Sequence, residues 1–75
     1  MVGQRNVLLV EDEQTLRLSM VRGLSKLSGV EVTDAATVKE AKRLIGERRP
    51  DLVISDLDLP DGSGIEVATE LDRLR

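Results

Sequence analysis

Residues 52–64 read LVISDLDLPDGSG. Leu52, Val53 and Ile54 form a short apolar run, Asp56, Asp58 and Asp61 follow within six residues, and Pro60-Asp61-Gly62 closes the stretch with turn chemistry. A brief apolar run bounded by turn residues reads as a buried strand. Its apolar half requires burial, while its acidic half requires water, a cation or protons. Such a stretch either stops a strand abruptly or builds a site at its end.

The rest of the chain decides what kind of strand this is. Asn6-Val7-Leu8-Leu9-Val10 is another continuous apolar run, cut off by Glu11-Asp12-Glu13. Strands without polar alternation are buried on both faces, as in parallel sheets. From about Gln14 to Ser28 the residues Leu16, Met20, Val21, Leu24 and Leu27 recur at helical spacing, with Ser28-Gly29 as the stop. Val30-Glu31-Val32-Thr33 predicts a less apolar strand nearer an edge. Thr37 to Glu40 reads as a capping box. It opens a helix whose face carries Val38, Ala41, Leu44 and Ile45 and which Pro50 ends. Ser63 to Glu66 reads as a second capping box, ahead of a stripe of Ile65, Ala68, Leu71 and Leu74. The order is β-α-β-α-β-α with short connections, so the fold class is α/β with a parallel sheet and right-handed crossovers. The helical pattern still runs at Leu74-Arg75, and the domain is expected to extend beyond it.

Composition narrows the function classes. The 75 residues contain no cysteine, histidine or aromatic residue. Disulfides and thiolate zinc sites are therefore excluded, the core must be aliphatic, and nothing is available for bases to stack on. Eleven basic against fourteen acidic residues give a net charge of −3, with no basic cluster to attract nucleic acid. The longest apolar run is far too short for a membrane span, and the N-terminus lacks a signal-peptide pattern. The expectation is a cytoplasmic protein that contacts neither nucleic acid nor membrane directly.

Parallel strands all end at one edge, and ligand sites form there. If the first and third strands are neighbours, Glu11, Asp12 and Asp56 converge. Carboxylates brought that close repel one another unless a cation sits between them. A hard divalent ion with oxygen ligands answers that need, and Mg2+ suits a few carboxylates completed by water or phosphate oxygens. The competing reading is that Glu11-Asp12-Glu13 merely caps a helix and that Asp61-Gly62 is only a turn. The acidic pair after one buried strand together with Asp56 after another favours the metal site.

VLLVEDE (7–13) and DLVISDLDLPDGSGIEV (51–67) together resemble the receiver domains of two-component response regulators, over essentially the whole chain. The resemblance implies a three-layer, flavodoxin-like parallel sheet beginning 2-1-3. It implies that Asp56 accepts a phosphoryl group from a sensor histidine kinase or a phosphotransfer protein. It implies Mg2+ as cofactor, held directly by Asp12 and Asp56, through a water by Glu11, and by the main-chain carbonyl of Asp58. Pro60 and Gly64 match the family's turn after the acceptor. The Asp58 side chain either adds charge near the metal or points to solvent.

The chain departs from the family in length. Residues 1–75 match a partial receiver, without the last two strands and following helices, and so without the family's Ser/Thr and Lys on those strands. Conformational switching is accordingly expected to be lost. Order 2-1-3 leaves the third strand as an edge, which invites pairing with another chain. A homodimer is expected, through that edge or through the first helix face. Two rival readings remain. One is an inert half-receiver serving only as a pairing module. The other is a haloacid-dehalogenase-type phosphatase, since Asp56-Leu57-Asp58 resembles its D-x-D motif; the family's Gly-Thr continuation is replaced by Leu59-Pro60, and that motif leaves Glu11-Asp12 without a role.

Overall fold

A computed structural model describes residues 4–74. Three parallel strands, β1 (Arg5–Val10), β2 (Val30–Ala35) and β3 (Leu52–Ser55), form a sheet of order β2-β1-β3. The helices α1 (Gln14–Leu24), α2 (Val38–Arg48) and α3 (Gly64–Arg73) alternate with them. A further pair of two-residue strands, β4 (Asp58–Leu59) and β5 (Gly62–Ser63), forms a small antiparallel hairpin between β3 and α3. The predicted element order, parallel sheet and edge positions of β2 and β3 are all present.

The burial pattern follows from the layers. Alternate residues of a strand point to opposite faces. Leu8 and Val10 therefore join Ala35, Val38, Ala41, Leu44, Ile45 and Val67 in one core beneath α2 and α3. Val7 and Leu9 are buried on the other face, where α1 lies against β1 and β2. That second layer is thin. α1 buries none of its own residues, and Leu16 and Leu18 remain 47% and 46% exposed. Among the described residues no helix is long and apolar enough to cross a membrane.

Four details differ from the expectation. α1 ends at Leu24 instead of Ser28. The N–H groups of Lys26 and Leu27 donate to the carbonyls of Gly23 and Leu24, three residues back. Leu27 is exposed, so no burial holds that segment in helical register, and its serines favour turns. At α2 only half of the predicted capping box forms. Thr37 Oγ accepts from the Glu40 N–H, but the Glu40 carboxylate pairs with Arg43, whose hydrogen bond holds it below its ordinary pKa.

The other two details concern α3 and the hairpin. The box at α3 is complete, with Ser63 Oγ accepting from the Ile65 N–H and Glu66 accepting from the Ser63 N–H. The buried face of α3 is nevertheless Gly64 and Val67, backed by Leu71 and Leu74. Ile65 and Ala68, assigned to the apolar stripe by their spacing, instead line an open groove beside β3. α3 leans on α2, and among the described residues nothing covers its other flank. The β4-β5 hairpin itself had no signal beyond its turn residues.

Candidate functional site

The sheet register builds the site. In β1 and β3 Val10 stands beside Ser55, so the next residues, Glu11 and Asp56, emerge side by side. The Asp56 N–H donates to the Val10 carbonyl at 3.0 Å, and the Glu11 N–H donates to the Ala35 carbonyl of β2 at 3.0 Å. With Asp12 they form a cluster in which one carboxylate oxygen from each residue lies within 4.8 Å of the others. These are the three side chains that sequence reasoning brought together.

The competition between capping and clustering in Glu11-Asp12-Glu13 resolves residue by residue. Glu13 is the N-cap of α1, its carboxylate accepting from the N–H groups of Thr15 and Leu16. Glu11 is 7% exposed and accepts one hydrogen bond, from the Glu13 N–H at 2.9 Å. Asp12 and Asp56 are exposed. Among the described residues no lysine or arginine forms an ion pair with any of the three. A buried carboxylate grouped with two others and lacking a cationic partner is costly, and a bound cation removes that cost.

The donor set fits Mg2+. All the groups are hard oxygens, and ligands at about 2.1 Å place opposed ligand atoms about 4.2 Å apart.

The Asp58 carboxylate is not part of the three-residue cluster. The residue is exposed on β4, opposite Ser63, and its N–H points at Asp56 Oδ1 from 3.4 Å, too long for a strong bond. Its carbonyl is carried by the hairpin directly after Asp56.

The hairpin is held by contacts that the sequence did not reveal. Asp61, read as a plain turn residue, reaches across to α2 and accepts from the N–H groups of Val38 (2.7 Å) and Lys39 (3.0 Å). Those bonds hold its carboxyl below the ordinary value. Gly64 donates its N–H to the Leu57 carbonyl at 3.0 Å. A Cβ at Gly64 would run into the Asp56 carbonyl oxygen and lie 2.9 Å from the Ser55 hydroxyl. Only glycine lets α3 start so close to the end of β3. The family turn signature contained Gly64. Asp61 had no local signal, because its partners are more than twenty residues away.

Comparison with known proteins bears on the family and the fold. The family model described as "Response regulator receiver domain" matches residues 7–75. The chain is 44% identical over 66 residues to the KDP operon transcriptional regulatory protein KdpE of Escherichia coli (strain K12), covering 88% of this chain and 29% of that protein. It is 39% identical over 74 residues to the polar-differentiation response regulator DivK of Brucella anthropi, covering 95% of this chain and 59% of that one. Among solved structures, a two-component response regulator of the LuxR family from Aurantimonas sp. SI85-9A1 superposes with a TM-score of 0.85 at 33% identity, over 96% of this chain and 52% of that one. The chain thus spans between about a third and rather more than half of the relatives it matches.

Proposed function

The chain belongs to the receiver domain family of two-component response regulators, and on that footing we propose that Asp56 is its phosphoacceptor, working with Mg2+ held at the Glu11-Asp12-Asp56 cluster. The observation that carries this reading is the convergence of those three carboxylates at the matched ends of β1 and β3, one of them buried and, among the described residues, without a cationic partner.

Each residue has a defined task in this reading. A carboxylate oxygen of Asp56 attacks phosphorus in line, forming an O–P bond as the P–N bond to the donor imidazole breaks and that imidazole takes up a proton. Asp12 and Asp56 would hold the ion directly, Glu11 through a water, and the Asp58 carbonyl would complete the protein ligands. When bound, Mg2+ neutralises charge on the acceptor and on the phosphoryl oxygens. Support comes from the β1–β3 register, which sets Asp56 beside Glu11, and from the hairpin carrying Asp58, which Asp61 and Gly64 tie to its neighbours. The donor is a phosphohistidine of a sensor kinase or a phosphotransfer protein, in the cytoplasm. The aspartyl phosphate is the signal, not a turnover intermediate. The phosphatase reading needs Asp58 as an acid/base group, whereas its carboxylate lies outside the cluster.

Incubation with Mg2+ and a small acyl phosphate tests this reading. One phosphoryl group is expected in the intact mass, and none after the divalent ion is chelated. Addition that is indifferent to chelation would remove the metal from the account.

A second, compatible property rests on a separate observation. Among the described residues β3 is an edge strand, and beside it runs a groove of about 430 Å³ whose lining includes Val53, Leu57, Ile65 and Ala68. Leu57 and Ile65 are each 65% exposed there. Edge strands with apolar flanks pair with other chains. We therefore propose a homodimer through this edge, with the half-exposed α1 face as the alternative surface. Light scattering at rising protein concentration is expected to report the dimer mass; a constant monomer mass would refute it.

A further inference from the structure

Arg17 is not part of the acidic cluster, yet it holds the segment that carries it. It lies one turn into α1, with its side chain 16% exposed. Nη1 donates to the main-chain carbonyl of Glu11 at 3.0 Å, and Nε donates to Asp34 Oδ2 at 3.0 Å. Asp34 stands on β2 beside Leu9 of β1, two residues before Glu11. The Glu11 carbonyl belongs to the peptide unit that joins Glu11 to Asp12, so fixing its direction constrains the backbone from which both side chains leave. The same residue is tied on its other side by its N–H to Ala35 and by its carboxylate to the Glu13 N–H.

We infer that Arg17 is a positioning residue for the cation site, acting through the Glu11 carbonyl and itself aimed by Asp34. The inference rests on the metal reading of the cluster given above. It differs from the two simpler roles open to an arginine there. As a surface ion pair to Asp34 it would have no effect on metal binding. As a mere positive charge near the cluster it would repel a cation, so that its removal would tighten binding. A positioning role has the opposite sign: removal loosens the Glu11-Asp12 peptide and weakens binding. Supporting groups behind metal ligands commonly change affinity by about 10–100-fold.

The experiment is calorimetric titration of Mg2+ into the wild-type chain, Arg17→Met and Asp34→Asn at one ionic strength, with amide hydrogen exchange of the metal-free proteins alongside. Arg17→Met keeps an unbranched apolar stem while removing both hydrogen bonds. The expected result is a Kd raised about tenfold or more in Arg17→Met, together with faster exchange of the Glu13 amide, whose acceptor is the Glu11 carboxylate. Asp34→Asn, which leaves the guanidinium in place but weakens its aim, is expected to show a smaller rise. It decides the matter if Arg17→Met does not fold. Unchanged or tighter Mg2+ binding in a folded variant overturns the inference while leaving the metal site standing. Absence of Mg2+ binding by the folded wild type overturns both.

Discussion

Leu8→Ala is expected to cost about 2–5 kcal/mol, the range for truncating a fully buried leucine. A chain of 75 residues at about 0.05–0.15 kcal/mol per residue has roughly 4–11 kcal/mol in all. One substitution therefore removes a large part of the stability or all of it. Leu8 is fully excluded from water in the central strand and faces the core that α2 and α3 cover. Among the described residues the remaining face of the sheet carries α1, which buries nothing of its own and offers little packing to offset the loss. Leu18→Ala is the contrasting case. That side chain is 46% exposed on α1, and its loss is expected to stay within about 0.5 kcal/mol. Urea unfolding followed by circular dichroism measures both. Equal costs for the two would mean that the layers are not as unequal as described.

Asp12→Asn is expected to lower Mg2+ affinity by about 100-fold or more, beyond what even supporting groups cost. Asparagine keeps an oxygen at the position but removes the charge that a hard divalent ion seeks. In the absence of metal the same change relieves repulsion within the cluster, so stability should hold or rise. Weaker metal binding together with undiminished stability is the mark of a side chain placed for a ligand. Calorimetric titration and a melting curve on the same sample measure the two effects. Joint loss of affinity and stability would assign Asp12 to the fold instead.

The fold was largely legible because its signals are local. The apolar runs 7–10 and 52–54, cut off by acidic residues, are what strands buried on both faces look like, and the helical spacing of Val38, Ala41, Leu44 and Ile45 matches the face that α2 buries. The errors fall where a neighbour decides the outcome. Leu27 has helical spacing but nothing to pack on, so α1 ends before it. Ile65 and Ala68 have the right spacing on α3, but that helix turns Val67 inward instead, because its partner is α2.

The site divides in the same way. Glu11, Asp12 and Asp56 were readable, since parallel strands end at one edge whatever their separation along the chain. Which member of the acidic run caps α1 depended on side-chain reach, and only the structure assigns that task to Glu13. Asp61 and Arg17 were invisible for a plainer reason. Their partners, the α2 amides for one and the Glu11 carbonyl with Asp34 for the other, are main-chain or distant groups, which leave no trace in residue types.

We take Asp56 to accept a phosphoryl group at a metal site built from the ends of β1 and β3. Intact-mass measurement after incubation with Mg2+ and a small acyl phosphate, run side by side on the wild type and Asp56→Asn, tests it most directly. One added phosphoryl group is expected on the wild type and none on the variant, with both proteins folded by circular dichroism. Equal addition to both would place the acceptor elsewhere, and no addition to a folded wild type would show that this acidic cluster alone does not support the transfer.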